Sequence, residues 1–314
     1  MRIDCLTPER YRECFPYPSH FYNTVEFSEL NRYKCDNIHY LSFKDDTGKI
    51  RLGIILGERE GVLLSPFSAP FGGFEESGKQ RLCYYIDAVE ALKCYAEIRG
   101  LGLVISIPPP IYNRDSHISK QFGAMANGGY KLVCSDYDYY FPSDVFGRID
   151  ERLGRNARKN LAKATAAQYG FIFSDASDMN IIERVYDVIK CNRESLGYIL
   201  RLSIDAVKDT IRLVDADFML LTDGDKDVAA AMAYHVSERI VQIIYWGHKP
   251  EYSSCRPMNL LAYKVIEFYA AKGIIIDVGP SSSDGVPALG LCDFKEGVGC
   301  DILLKHTFSF NPRI

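Results

Sequence analysis

The chain has 314 residues, 47% hydrophobic and 25% charged, a globular composition larger than one comfortable core, so two domains of about 150 residues are expected. A formal charge of −4 excludes a global basic field for nucleic acid and leaves only a local patch for any polyanion. Ten cysteines without a C-x-x-C pair and six scattered histidines exclude a zinc finger or disulfide scaffold, and no metal is expected. No apolar run approaches the roughly 20 residues that span a bilayer, and the charged N-terminus lacks the apolar stretch of a signal peptide. A cytoplasmic protein with free thiols is the expectation.

In chain order, residues 38 to 70 (IHYLSFKDDTGKIRLGIILGEREGVLLSPFSAP) predict a strand, a turn at Asp45–Gly48, a strand, a turn at Glu58–Gly61 and a third strand. SPFSAPFGGF, residues 65 to 74, is a shaped loop, a lid or an interdomain contact, with Phe71, Gly72 and Gly73 as candidates to touch substrate. Leu82, Tyr85, Val89, Leu92 and Ala96 have helical spacing, and LVISIPPP is a short strand stopped by prolines. The seam is expected between Ser143 and Gly154, giving domains 1–145 and 146–314.

A basic helix opens the second half. GRIDERLGRNARKNLAKA, residues 147 to 164, carries six basic and two acidic residues. Arg155, Lys159 and Lys163 share one face, almost without carboxylates four residues away to neutralise them. Residues 217 to 250 then repeat the strand, turn, strand, turn, strand order. Met258, Leu261, Ala262, Val265, Ile266 and Tyr269 form the apolar stripe of a helix with Pro257 in its first turn. Gly273 ends that helix and IIIDVGPSS supplies the next strand. Aligning Gly102 on Gly273 makes the two stretches copies of one β-β-β-α-β module.

Chemistry is expected in the second copy. A helix start concentrates unpaired amides and positive dipole, and Ser253, Ser254, Cys255, Arg256 and Asn259 surround this one. Asp277, His248, and Tyr245 beside Trp246 and Gly247 are acid or base candidates. His235 reads as a hydrogen-bonded core residue. Lys295 falls in a loop, GLCDFKEGVGCDILLKH, whose Gly297 and Gly299 allow a close backbone approach.

Four segments, RLGRNARKNLAKA, YWGHKPEYSSCRPMNLLAYKVIEFYAAKG, IIIDVGPSS and DFKEGVG, together resemble the GNAT acyltransferase superfamily, in the tandem branch related to FemABX aminoacyltransferases. The resemblance covers nearly the whole chain. It implies an α/β (mixed α+β) fold of two tandem GNAT-like domains, each a central mixed sheet flanked by helices. The first domain would be degenerate and the second would bind donor and catalyse. The implied activity is N-acyltransfer, in which an amine acceptor, small molecule or peptide, attacks an activated acyl group directly. Acyl-CoA carrying an acetyl group stands ahead of aminoacyl-tRNA as donor. Trp246, Gly247, Ser253, Ser254, Cys255, Arg256 and Asn259 would hold the donor. Tyr245, Asp277 and Lys295 would serve the reaction, Lys295 by holding a phosphate or the developing oxyanion. Arg155, Lys159 and Lys163 suit an anionic acceptor or an RNA end. The strand of Tyr245 to Gly247 would splay from that of Asp277 to Gly279. SSCRPM departs from the acyl-CoA pattern Q/R-x-x-G-x-G/A, which keeps two alternatives open: FemABX-like aminoacyl-tRNA-dependent transfer, and an inactive GNAT-like binding module. Oligomeric state is not implied.

Overall fold

The computed structural model describes residues 1–312. The chain forms two compact units, one of Met1–Tyr137, Ser282–Val286 and the chain from Leu303, the other of Asp138–Ser281 and Pro287–Ile302. The change of unit thus comes at 137/138, within a strand, and the expected seam at 145/146 lies inside the second unit. The C-terminal strand returns to the first.

The first unit contains β1 (Arg2–Leu6), α1 (Pro8–Cys14), α2 (Val25–Leu30), β2 (Asn37–Lys44), β3 (Ile50–Arg59), β4 (Val62–Ser65), β5 (Phe74–Glu76), α3 (Leu82–Arg99), β6 (Gly102–Ser106), α4 (His117–Asn127) and the start of β7 (Lys131–Phe141). β1 to β4 pair antiparallel in sequence, β5 adds to β3, and β4 runs parallel to β6. Tyr85, Val89, Leu92 and Ala96 bury one face of α3 against this sheet, whereas Leu82, expected on the same face, is half exposed.

The second unit continues with α5 (Ile149–Arg152), α6 (Arg155–Ala166), β8 (Gly170–Asp175), α7 (Met179–Ser195), α8 (Ile204–Thr210), β9 (Ala216–Asp223), β10 (Lys226–Ser237), β11 (Ile240–His248), α9 (Pro257–Ala270) and β12 (Ile275–Pro280). A small ladder of β13 (Ser282–Ser283) and β14 (Val286–Pro287) precedes α10 (Leu289–Gly297), and β15 (Asp301–Phe310) closes the chain. The strand order in this unit is β7-β12-β11-β10-β9-β8, with β11 and β12 parallel. β10 is buried on both faces. Its alanines at 229, 231 and 233 join the core built on α9, and their small side chains let the helix lie close to the sheet.

Both units therefore contain a mixed sheet with helices packed on it, in the same β-β-β-α-β order apart from the short β5, which pairs with β3 off the main path of the first unit's sheet. The helix stops match in detail. Gly100 (φ 66) bonds back to Glu97 while Leu101 N–H reaches Ala96, and Gly273 (φ 70) bonds to Ala270 while Ile274 N–H reaches Tyr269. Gly100, not Gly102, is thus the counterpart of Gly273. The basic segment is also not one helix. It breaks at Leu153–Gly154, where Gly154 N–H donates to the Gly297 carbonyl at 2.9 Å. Lys295, expected in a loop, lies on α10.

Candidate active site

The last rung between β11 and β12 is Gln242–Asp277, yet β11 continues to His248 and β12 to Pro280. Each strand is bent at this point. In β11 the pairing with β10 jumps from Met232–Tyr245 to Ala233–Ile243, so Ile244 bulges out. In β12 the pairing with β7 jumps from Asp277–Tyr140 to Gly279–Tyr139, with Gly279 at φ 74. A ladder that ends while both strands go on leaves an opening whose walls are main chain.

Asp277 and Lys295 fix that opening. Asp277 is fully buried; its Oδ2 accepts from Gln242 Nε2 at 2.7 Å and its Oδ1 from Gly279 N–H at 2.8 Å, locking the last rung and the bulge beyond it. Lys295 is 2% exposed and its Nζ donates to the carbonyls of Val278 (3.1 Å), Gly279 (2.8 Å) and Pro280 (3.3 Å). Burial pushes its amine below the usual lysine range. The carbonyls that would otherwise continue the sheet are therefore held by a cation on α10. Both side chains are spent on the main chain and side chains around β12 and fix the course of that strand.

Tyr245 differs. It is half-buried, its hydroxyl has no hydrogen-bond partner among the described residues, and the Arg193 guanidinium of α7 lies 5.0 Å from its ring centre. Trp246 points to the other side of β11, edge-on to Phe294 of α10 at 5.9 Å. Gly247 has a packing reason: a Cβ there would stand 2.6 Å from the Asn192 side chain, whose amide donates to the His248 carbonyl at 2.9 Å. Sequence reasoning passed over α7, although Asp178 caps it and Ile181, Ile182, Val185, Val188 and Ile189 are spaced for a buried face. It also passed over Ser281, whose buried hydroxyl at the end of β12 lacks a hydrogen-bond partner among the described residues.

From β11 the chain enters a two-turn 3-10 segment, Pro250–Cys255, and then α9. Ser253 Oγ donates to the Pro250 carbonyl at 2.7 Å and stands 2.9 Å from His248 Nε2. Burial, then the charge of Arg256, lower the His248 pKa, so the imidazole is neutral at pH 7. Arg256 caps α9 from the left-handed region at φ 60. Its N–H is spent on the Ser253 carbonyl, Pro257 has none, and Asn259 N–H turns to the Arg256 carbonyl. This helix start therefore offers few free amides to a pyrophosphate. Tyr169 approaches from behind, with its hydroxyl pushed up to about 12 by burial and by Cys255.

α6 packs on α9 through Ala157, Leu161 and Ala164. Arg155, Lys159 and Lys163 point away into solvent, and none of them is ion-paired among the described residues. Arg152, one turn earlier, is instead structural, donating to the Gly299 carbonyl and to Asp301. The glycines at 297 and 299 admit Gly154 and Arg152, not a ligand. His235 is tied to Asp217, 2.7 Å away, beside Tyr269.

Phe71, Gly72 and Gly73 belong to the first unit and are buried there. Phe71 packs on His20, Tyr22 and Tyr112, Gly72 N–H donates to the Ser106 carbonyl at 2.8 Å, and Gly73 N–H to Ser65 Oγ at 3.0 Å. The structure does not bring them to a surface. Among the described residues no group of three or more His, Cys, Asp or Glu could hold a metal, and no helix is long and apolar enough to cross a membrane.

No protein-family model matches the chain, and no curated protein is similar to it in sequence. Solved structures are similar in fold. FemX superposes with a TM-score of 0.68 at 11% identity, over 99% of this chain and 97% of that one. The C-terminal domain of a putative lysylphosphatidylglycerol synthetase from Agrobacterium fabrum gives 0.59 at 11% identity, over 91% and 86%. L-PGS from Bacillus licheniformis gives 0.59 at 12%, over 97% and 92%. With its repeated β-β-β-α-β module and its interrupted β11–β12 ladder, the chain has the tandem GNAT-like fold in its FemX-like form.

Proposed function

We propose that the second unit transfers an acyl group from an activated, anionic donor to an amine, and that the donor is an aminoacyl ester at an RNA 3′ end. The carrying observation is the opening past Gln242–Asp277 with the unneutralised cations of α6 in the same unit. The donor carbonyl would lie against the main chain of β11, whose amides polarise it. The amine attacks this carbon, the ester C–O bond breaks, and the ribose hydroxyl leaves with the proton the amine gives up. Asp277 and Lys295 hold the frame, Tyr245 borders the carbonyl, and neutral His248 is the candidate proton carrier. Positioning supplies most of the rate.

The scarcity of free amides at the start of α9 favours RNA over coenzyme A, the reverse of the order suggested by sequence. Exposed arginine and lysine read a chain of phosphates well, whereas a pyrophosphate wants main-chain donors. Acyl-CoA remains the second reading because Ser254, Cys255 and Arg256 do cluster at that helix start.

The test is binding of aminoacyl-tRNA by the intact chain as salt is varied, beside thermal shift with acetyl-CoA. Charge reversal of Arg155, Lys159 and Lys163 should weaken RNA binding and flatten its log–log salt slope by about 2 to 3. An unchanged slope with stabilisation by acetyl-CoA transfers the proposal to coenzyme A. No binding of either, and no transfer to a panel of amines, removes it.

A further inference from the structure

The first unit presents a groove that this chemistry does not use. It has a volume of about 430 Å³ and is lined by Met1 and Ile3 on one side and by Ala91, Cys94, Tyr95 and Ile98 of α3 on the other. One wall, β1, is the edge of that unit's sheet. β2 takes one side of it, and no strand takes the other among the described residues. Edge strands are usually protected by proline, a bulge or inward-pointing charge. β1 has no proline and pairs with β2 in unbroken register from Arg2–Lys44 to Leu6–Tyr40. The other wall, α3, carries exposed apolar side chains among charged ones: Ile98 is 83% exposed, and Leu82 and Ile86 are half exposed, while Asp87, Glu90 and Arg99 also line the groove. A free edge beside exposed apolar side chains is suited to strand addition.

We propose that a second copy of the chain docks here, β1 against β1, antiparallel about a two-fold axis through Ile3. Charge selects this occupant and this register. With Ile3 on the axis, Arg2 of each copy lies opposite Asp4 of the other, so the pairs that Asp4 makes with Arg2 and Lys44 of its own copy extend across the axis into one alternating charge network. An axis through Asp4 would set two carboxylates face to face, and one through Cys5 would oppose Asp4 to Leu6. The faces agree as well. Ile3 lines the groove and Cys5 Sγ lies 3.6 Å from Tyr95 Oη, so both are on the α3 side, while Asp4 meets Lys44 on the opposite side. Pairing in this register lays the apolar residues of both copies together under the two α3 helices and the ion pairs on the far face. Such an interface is self-complementary and closes at two copies.

Sedimentation of the intact chain from low to high micromolar concentration should show a reversible monomer–dimer equilibrium. Ile98→Glu, at a site already in water, should weaken the dimer by about tenfold or more. Arg2→Asp should weaken it too, and Arg2→Asp with Asp4→Arg should restore it, because the swap preserves the cross-strand pairs. Ile3→Cys in a Cys5→Ser background should yield an intermolecular disulfide, since the new sulfurs meet on the axis. A monomer at every concentration with no cross-link overturns the proposal. So does a dimer indifferent to both Ile98→Glu and Arg2→Asp, which would be built on another surface.

Discussion

In the first unit β4 stops at Ser65, the last residue it pairs with β6; in the second, β11 runs on to His248 after its last pair with β12 at Gln242. What happens beyond those rungs separates two copies of one module. The loop after β4 folds back over its own sheet, with Gly72 N–H on the Ser106 carbonyl, Gly73 N–H on Ser65 Oγ and Phe71 fully buried. The place that is open in the second unit is thus filled in the first. In the second unit Lys295 takes the three carbonyls at the end of β12, and the chain after β11 leaves for α9. One module is sealed by its own loop, the other is held open by a lysine.

The largest effect should come from the lysine. Lys295→Ala leaves three main-chain carbonyls without a donor and empties the space of a buried side chain. We expect a loss of about 4 kcal/mol in urea unfolding, with faster amide exchange along β12 and little change in β6. Lys295→Met, which keeps the volume and removes the cost of a buried charge, should lose about half as much. Equal exchange in both strands would mean that the lysine does not hold the opening, and the contrast between the units would need another cause.

The seal of the first unit has a signature in pH. Glu75, just past the loop, accepts from Ser19 N–H at 2.9 Å, Ser19 Oγ at 2.5 Å and Asn23 Nδ2 at 2.8 Å, and burial pushes its carboxyl from 4.5 up to about 7. His20, edge-on to Phe71, is pushed from 6.5 down to about 3, again by burial first. A raised carboxyl pKa means that the folded state keeps a proton the unfolded chain loses, so its stability falls as pH rises from 4.5 to 7. A lowered histidine pKa acts the other way, and stability falls as pH drops below 6.5. Between pH 4.5 and 6.5 the two slopes oppose, each about 1.4 kcal/mol per pH unit. Glu75→Gln should therefore make stability climb by about 3 kcal/mol across that window relative to wild type, and His20→Gln should make it decline by as much. If neither variant changes the slope, the region is wet, and the first unit is not sealed.

Much of this contrast was legible as order and little of it as contact. Asp45–Gly48 and Asp223–Asp225 mark hairpins because turn residues interrupt alternating strands, and Pro257 marks a helix start because a ring nitrogen has no proton to lose. The opening near Tyr245 and Asp277 followed from resemblance. Lys295 could be found as a residue but not as a structural tie, since its partners are carbonyls 15 to 17 positions away that any sequence would supply. Phe71, Gly72 and Gly73 look equally suited to a ligand or to a core in one dimension; only burial separates the two. The bend at Gly154 was hidden because its partner is a carbonyl of α10.

Gly247 gives the smallest effect and the finest discrimination. In a strand beside an expected donor site, a glycine suggests main chain laid bare for a ligand. In the structure it lies under α7, where an added Cβ would press on Asn192 at 2.6 Å and threaten the bond from that side chain to the His248 carbonyl. Gly247→Ala should cost about 2 kcal/mol through this overlap. Removing the obstacle as well, in Gly247→Ala with Asn192→Ala, should bring back about 1 kcal/mol of the sum of the two single losses. The coupling is what a packing role requires, because a glycine needed for donor access would lose transfer in both backgrounds and gain nothing from a smaller neighbour. A Gly247→Ala variant of unchanged stability but without transfer would return that glycine to the donor and make α7 a bystander.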